Sequence, residues 1–504
     1  MRLRRLHIER YLLLRDLDLL FDRPGRLDTG AYALDFLVGV NGSGKSTVLR
    51  ALTQIVSDLR ADQISTFSYK LEYEFKGRDG PYFVSIAQQH TDEGQNRHMT
   101  VRPRSPDTEP IFDADSIDQR YLPTQLVVHT TGAEEEWERL LIGADAVNDA
   151  VRAPGDILDD PVRRSVVELP GHFPSTSPIE TTEAEPPFLL VRASRLPLVT
   201  LCGLLAHLAS DDQPLKDVLS SLGLQKFSGF SLRFRLHKAL SPFKTFNALT
   251  SFATRHFQQG NDHLLVFDLS ADPDLPSRFV SDAAIGGGLG LFAKLDRLLE
   301  PDAPGEPTLR QVNVFLERRM PEVAEDIDES PESLPHLFLL DWLSDGEQSF
   351  LGRMAVLAML DTEDSLILLD EPEVHFNDFW KLEVIDLLDR IMQEHSNHLL
   401  ITSHSSILLS DVTEAQVVVM VRGPDGWAQR HFLRLPLLAV DPSEIMVNWF
   451  GTERSVGHRS TRLLSAAVKC GNVQELERLL GIVGPGYWRY RIEDRLEELR
   501  AAPG

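Results

Sequence analysis

The chain has 504 residues, of which 42% are hydrophobic and 25% are charged, and its formal net charge is −25. This composition is ordinary for a globular protein, and the acidic balance argues against a uniformly basic nucleic-acid-binding surface. No apolar run reaches the ~18 residues that a membrane-spanning helix needs. The two cysteines, Cys202 and Cys470, have neither metal-ligand nor disulfide-framework spacing. We therefore expect a cytoplasmic protein without a membrane-spanning segment.

Residues 1–150 begin with predicted strands and contain a glycine-rich motif. A mostly apolar run, Tyr32–Val40, predicts a buried strand, and Thr47–Arg60 has apolar residues at helical spacing. Between the strand end and the helix start lies the pattern G-x-x-x-x-G-K-S, which is a phosphate loop. Its candidate phosphate-binding residues are Gly39, Asn41, Gly42, Ser43, Gly44, Lys45, Ser46 and Thr47.

Each part of this loop has a chemical reason. Glycines let several backbone N–H groups point at a phosphate, and the helix N-terminus adds partial positive charge. Lys45 is expected to reach the β- and γ-phosphates of a nucleotide, and the Ser46 hydroxyl can ligate Mg²⁺. The motif therefore predicts a site for a nucleoside triphosphate and Mg²⁺.

The middle of the chain predicts a β subdomain, a linker and an insertion. Apolar and polar residues alternate in 67–75 and in 82–88, and a Gly-Arg-Asp-Gly turn lies between the two segments. This pattern predicts a hairpin. Residues 151–187 are rich in Pro, Ser, Thr and Glu and predict a long loop or linker. We expect residues 188–340, including 311–323, to be mainly helical and to form a compact lid.

Residues 341–425 predict the second half of the nucleotide site. The apolar run Leu366–Leu369 predicts a strand, and Asp370 and Glu371 follow it directly. This is the Walker B pattern, in which Asp370 would hold Mg²⁺ and Glu371 would polarise the water that attacks the γ-phosphate.

Two further motifs flank this strand. Upstream, Leu343–Gln348 reads LSDGEQ ahead of a helical run, and downstream a predicted strand, His398–Thr402, is followed by His404. The order of the four motifs resembles that of the ABC-type ATPases, in the branch that includes RecF, SMC and OLD-like proteins.

The resemblance implies an α/β fold and a shared catalytic site. The implied fold is an ABC-type nucleotide-binding domain with a mixed sheet flanked by helices, an antiparallel β subdomain, a helical lid and a helical C-terminal extension at 426–504. It implies that ATP and Mg²⁺ bind, that His404 senses the γ-phosphate, and that the protein forms a homodimer or higher homo-oligomer. In such an oligomer one copy's signature residues cap the nucleotide of another copy; here they are Ser344, Asp345, Gly346 and Glu347.

Two features of that family are not settled by the sequence. Asn377 stands where the D-loop aspartate often lies, which weakens the expected link between two sites across a dimer. Gln88, Gln89 and Gln125 are all candidates for the Q-loop glutamine.

The continuation after Walker B, Asp370–Phe376, resembles that of OLD-like ATPases, many of which act in anti-phage defence. The C-terminal patterns at 448–453 and 484–491 resemble those of the ATPase subunit of Septu-type and retron-associated defence systems. This resemblance implies an HNH-type nuclease or another effector as partner, with DNA or a retron nucleic acid as a further candidate. We recognise no nuclease site in the chain, since Asp272-Pro273-Asp274 lacks a partner glutamate and reads as an acidic turn.

Three functions follow from these motifs. The first is an ATPase that dimerises around ATP and controls an effector in defence. The second is a RecF-like DNA repair ATPase without a dedicated effector. The third is a scaffold that holds ATP structurally and barely hydrolyses it.

Overall fold

The computed structural model describes residues 1–21, 23–27, 30–77, 80–91, 94–103, 109–130, 132, 134–141, 187–210, 214–236, 244–282, 284–299, 307–318, 336–360, 362–432, 435–450 and 456–501. The predicted linker at 151–187 therefore lies outside the described residues, apart from its last position. Residues 451–453 of the C-terminal pattern also lie outside them.

In the described part of the chain, thirteen strands form one mixed sheet. In chain order these are β1 (Arg2–Tyr11), β2 (Leu14–Leu20), β3 (Ala33–Val38), β4 (Tyr69–Phe75), β5 (Tyr82–Thr91), β6 (Gly94–Pro103), β7 (Phe112–Ala114), β8 (Leu126–Thr130), β9 (Phe188–Val191), β15 (Leu366–Asp370), β16 (His398–Ser403), β17 (Val417–Arg422) and β18 (Ala428–His431).

This sheet has a parallel half and an antiparallel half. The order β17-β3-β16-β15-β8-β9 is parallel throughout. All six residues of β3 are buried, as expected of a central parallel strand covered on both faces. On the other side, β7-β6-β5-β4-β1-β2 is antiparallel and includes the predicted hairpin of β4 and β5.

The helices flank the large sheet, lie in the insertion or form the C-terminal region. They are α1 (Lys45–Arg60), α2 (134–141), α3 (Leu196–Ser210), α4 (Pro214–Ser221), α5 (Lys244–Phe252), α6 (Leu275–Ser281), α7 (Gly287–Leu299), α8 (Asp345–Met359), α9 (Asp378–Met392), α10 (Ser406–Leu409), α11 (Pro442–Asn448), α12 (His458–Cys470), α13 (Val473–Leu480) and α14 (Tyr487–Ala501). No described helix is both long and apolar enough to cross a bilayer. The expected α/β class, with a mixed sheet flanked by helices and a helical C-terminal region, is confirmed.

The insertion differs from our expectation. The region 188–340 was predicted to be mainly helical, but beside α3–α7 it contains a five-stranded antiparallel sheet in the order β11-β12-β10-β13-β14. These strands are β10 (Leu224–Arg235), β11 (Arg255–Gln259), β12 (Asp262–Asp268), β13 (Leu309–Arg318) and β14 (His336–Leu339). Strand β13 contradicts the helix predicted over 311–323, because its pairing with the distant β10 overrides a weak local pattern.

The chain divides into two compact units, residues 1–438 and 439–504. The second unit has its own small core of Leu464, Ala467, Leu476, Ile492 and Leu496. The predicted C-terminal extension at 426–504 is thus helical from α11 onward, but β18 at its start belongs to the large sheet. In the C-terminal pattern at 484–491, Trp488 packs on this core, whereas Tyr487 and Tyr490 are exposed.

Candidate active site

The register of the parallel strands brings the sequence motifs to one edge of the sheet. Ser403 at the end of β16 pairs with Val38 of β3, just before the phosphate loop. Asp370 at the end of β15 pairs with Thr402 on one side and with Thr130 of β8 on the other. Carboxyl ends of parallel strands are where open α/β sheets bind ligands. Motifs from both ends of the chain therefore face one crevice.

The phosphate loop connects β3 to α1, and the first residue of that helix is Lys45. The Ser43 N–H donates to the Val40 carbonyl at 3.2 Å, which closes the turn. Asn41 at its tip is exposed, while Ser43 is buried. The predicted phosphate-binding residues all lie in this loop or in the first turn of α1: Gly39, Asn41, Gly42, Ser43, Gly44, Lys45, Ser46 and Thr47.

Two contacts join the loop to the strand end of β15. The Ser46 hydroxyl donates to Asp370 Oδ1 at 2.8 Å. Lys45 Nζ donates to the Gly39 carbonyl at 2.9 Å and lies 3.5 Å from Glu371 Oε1. Lys45 is only 4% exposed. Water therefore screens its charge weakly, which strengthens its attraction for an anion in the loop. The two predicted halves of the site are thus in direct contact.

These oxygen donors are suited to the predicted Mg²⁺. Mg²⁺ prefers hard oxygen ligands and is commonly held by one or two protein groups together with substrate phosphates. The Ser46 hydroxyl and the Asp370 carboxylate are such a pair, already within hydrogen-bond distance of each other. The residues present therefore fit the ion.

Glu371 is held in an unusual backbone conformation. Its φ of 48° lies in the left-handed region, which costs energy for a residue other than glycine. Two hydrogen bonds keep it there: its N–H donates to the Thr402 carbonyl at 3.2 Å and to Thr402 Oγ1 at 2.9 Å. Thr402 Oγ1 also donates to Asp370 Oδ1 at 2.6 Å. Thr402 therefore orients the Asp370 carboxylate and holds the backbone of Glu371, a role that the sequence did not reveal.

His404 directly follows β16 and faces the Glu371 carboxylate. Its Nδ1 lies 3.4 Å from Glu371 Oε1, and its side chain is 48% exposed. Behind it, the buried Glu373 accepts hydrogen bonds from Ser403 Oγ at 2.6 Å and from the His404 N–H at 3.2 Å. Glu373 thus holds the backbone of the predicted switch histidine.

The signature residues form the start of α8. Ser344 is the N-cap and forms a capping box with Glu347, and both Ser344 and Asp345 are exposed. Gly346 lies against the chain that follows Walker B, where a Cβ would come 2.7 Å from the His375 carbonyl oxygen. Only glycine therefore allows this approach, while the exposed end of the helix remains accessible to a second molecule.

The D-loop and Q-loop positions remain without an assigned role at the site. Asn377 is the N-cap of α9, where its side chain accepts from the Trp380 N–H at 2.8 Å. Gln88 is buried and bonds to the backbone of Ser65 and Phe67 within the antiparallel half. Gln125 precedes the amino end of β8, away from the strand ends that carry the motifs, and Gln89 is exposed on β5.

The acidic pattern at 272–274 is a turn. Asp272 pairs with Arg278, and the preceding Asp268 accepts from the N–H groups of Ser270 and Ala271. These hydrogen bonds are those of an ordinary capped turn.

Two buried side chains next to the site had no sequence signal. Arg353 on α8 donates to the carbonyl oxygens of Pro372 and Val374, and its Nε contacts His129 Nε2 at 3.5 Å. Burial, and then the charge of Arg353, lowers the pKa of His129 to about 3, so this histidine is a neutral acceptor at physiological pH.

Comparison with known families gives matches at both halves of the site. A family model described as "AAA domain" matches residues 1–72, which include the phosphate loop. A second, described as "AAA domain, putative AbiEii toxin, Type IV TA system", matches residues 309–410, which include the signature, Walker B and His404. The two matched segments therefore resemble ATPase domains of the AAA type. No curated protein gives a significant match to it.

Three solved structures of SMC head domains are among those similar to this chain. One is an SMC head bound to the C-winged helix domain of ScpA (12% identity, TM-score 0.35), covering 86% of this chain and 98% of that one. The SMC head domain from Thermotoga maritima has 12% identity and a TM-score of 0.33, with coverage of 86% and 100%. A head with an extended coiled coil, bound to the C-terminal domain of ScpA from Pyrococcus furiosus, has 11% identity and a TM-score of 0.30, with coverage of 86% and 96%.

Proposed function

We propose that this chain hydrolyses MgATP at a site completed by a second copy, and that the ATP-bound assembly controls an effector protein in anti-phage defence. The observation that carries the proposal is the joining of Ser46 to Asp370 at 2.8 Å, with Lys45 3.5 Å from Glu371. A site that only holds a phosphate needs the loop, but it does not need a carboxylate in the position of a general base.

Each residue has one role in the proposed reaction. Lys45 and the N–H groups of the phosphate loop bind the phosphates of ATP. Ser46 and Asp370 hold Mg²⁺, which neutralises the charge on the phosphate oxygens when it is bound. Glu371 accepts the proton of the attacking water, and His404 donates a hydrogen bond to the γ-phosphate.

A second copy would supply the remaining donors. Ser344 and Asp345 are exposed at the start of α8, and a helix N-terminus attracts an anion through its unpaired N–H groups. In this proposal Ser344 and Gly346 of one copy contact the γ-phosphate held by the other. Assembly would therefore depend on ATP, and hydrolysis would release it.

The effector role is supported by the description of the family model matched at 309–410, which names a toxin of a type IV TA system. That description favours a two-component toxicity or defence system over RecF-like repair. An HNH-type nuclease is the partner that we propose, with DNA or a retron nucleic acid as a further ligand.

Glu371→Gln tests the catalytic part. We expect its single-turnover rate of ATP hydrolysis to fall about 100-fold or more, as for loss of a general base. We also expect MgATP to trap a dimer that light scattering detects. The exposed Glu394→Gln is the matched control, since Glu394 lies beyond the end of α9.

Three outcomes would contradict parts of the proposal. Unchanged turnover in Glu371→Gln removes the assigned base. If the wild-type protein binds ATP but does not hydrolyse it, the chain is instead a scaffold that holds ATP structurally. If DNA stimulates ATP turnover and the product of a neighbouring nuclease gene does not co-purify with the protein, the result favours the DNA repair function.

A further inference from the structure

Arg353 is a buried cation on the helix that begins with the signature. It is 7% exposed, and burial lowers its pKa to about 10, so it stays charged at neutral pH. Its guanidinium donates to the Pro372 carbonyl and, at 2.9 Å, to the Val374 carbonyl. It also lies 4.9 Å from the centre of the Phe376 ring. Arg353 therefore binds α8 to the turn that directly follows Glu371.

Glu373 lies within that same turn and reaches the other side of the site. It is 3% exposed, and its Oε1 accepts from Ser403 Oγ at 2.6 Å and from the His404 N–H at 3.2 Å. The contacts of Arg353 and Glu373 thus form a continuous path from α8, through residues 372–374, to His404. Glu371 is the residue before this path, so any shift of the turn displaces it as well.

One atom on the path has no hydrogen-bond partner. Among the described residues, nothing bonds to Glu373 Oε2, although the atom is buried. A buried carboxylate oxygen without a partner costs free energy. Burial lowers the pKa of Arg353, and the negative charge of Glu373 partly opposes this effect. The two side chains nevertheless form no ion pair. Glu373 therefore offers Arg353 a second acceptor that the present arrangement does not use.

We propose that Arg353 and Glu373 form an internal link through which engagement of the signature end of α8 repositions Glu371 and His404 of the same chain. A small shift of α8 would exchange a carbonyl contact of Arg353 for an ion pair with Glu373 Oε2. The inference rests on the proposed function, in which the signature serves the nucleotide of the other copy. Nucleotide bound by one copy would contact the signature of the other copy and so reposition that copy's Glu371 and His404. The two sites would therefore bind MgATP cooperatively. Arg353 and Glu373 are positioning residues.

The test is the cooperativity of MgATP binding by the full-length chain in a Glu371→Gln background, held as a dimer by a high protein concentration so that assembly does not contribute to the isotherm. Binding isotherms separate coupling from catalysis, because coupling between sites is an equilibrium quantity. With the link intact we expect a Hill coefficient near the limit of about 2 for two sites. With Arg353→Met we expect a value of about 1. Glu373→Ala should give the same loss.

A matched control excludes general destabilisation. Arg97 is another buried arginine, 8% exposed, and it donates to the Gln63 carbonyl at 2.6 Å in the antiparallel half. Arg97→Met should therefore keep the parent's Hill coefficient. If Arg353→Met does not fold, Arg353→Lys keeps the charge but loses the planar fork, and it should also lower the coefficient.

Three results would overturn the link. They are an unchanged coefficient in both Arg353 variants, an equal fall in Arg97→Met, and a parent dimer that binds MgATP without cooperativity. Failure of the proposed function looks different: the parent would then neither bind MgATP nor dimerise, and Lys45→Ala would change nothing.

Discussion

Gly39 directly follows β3 as the first residue of the phosphate loop, and two constraints require glycine there. Its φ is +153°, and a Cβ would come 2.2 Å from the Met420 carbonyl oxygen of the neighbouring β17. Gly42, at the exposed tip of the same loop, has φ +80°, but a Cβ added there would meet no atom within 4 Å. The first glycine is therefore required by packing and conformation, and the second by conformation alone.

This difference predicts unequal effects of alanine. We expect Gly42→Ala to cost about 1 kcal/mol, which is the conformational penalty. Gly39→Ala should cost about 3 kcal/mol or more, since a strand backbone must move as well. Thermal denaturation of the two variants side by side measures the difference. Equal melting temperatures would show that the β17 backbone moves away from the added Cβ without a measurable loss of stability.

At the scale of elements, the start of α8 serves two purposes. Ser344 Oγ accepts from the Glu347 N–H at 3.3 Å, and Glu347 also accepts from Arg318 of β13 at 2.8 Å. Burial raises the pKa of Glu347, but the hydrogen bonds from Ser344 and Arg318 outweigh it and leave the pKa below its usual value. The signature helix is thus anchored to the five-stranded sheet of the insertion.

Two substitutions at Ser344 separate capping from phosphate contact. Ser344→Ala loses the cap and should cost about 1 kcal/mol of stability. Ser344→Asp can still accept from the Glu347 N–H, but it cannot donate to Glu347 Oε2 as Ser344 Oγ does at 2.8 Å, so its stability should fall by a similar amount. Because it also places a negative charge where we propose the γ-phosphate binds, its ATP turnover should fall much further than that of Ser344→Ala. Thermal denaturation and steady-state turnover are measured on both. Normal turnover in Ser344→Asp would remove the signature from the catalytic site.

For the whole molecule, the large sheet joins segments that are far apart in sequence. Strands β3, β15 and β16 come from opposite ends of the first unit and meet edge to edge. The insertion between them carries a sheet of its own. The second unit, 439–504, has a separate core.

We expect a chain that ends at Leu438 to keep a cooperative unfolding transition. Because a ligand stabilises the state that binds it, MgATP at about 100 times its dissociation constant should still add about 2.7 kcal/mol. Thermal denaturation with and without MgATP checks this, and Lys45→Ala in the same truncated chain serves as the control without a shift. Loss of the transition would mean that the first unit depends on the second.

Much of the candidate site could be proposed from the sequence because its signals are local. The phosphate loop, the Asp370–Glu371 pair and His404 each follow an apolar strand within a few residues, and parallel strands align their carboxyl ends. Strand β13 was not predictable, because its ten residues carry no clear period and their conformation depends on pairing with β10.

Arg353, Glu373 and Thr402 could not be found in advance for a different reason. Each acts through a neighbour that is distant in sequence or through a buried backbone carbonyl, and a residue pattern does not record such contacts. The chain's short motifs therefore specify which chemistry is available and roughly where each group lies on its strand or helix. Long-range packing sets which groups meet, at what distance, and which buried charges support them, because burial and strand register exist only once remote segments are brought together.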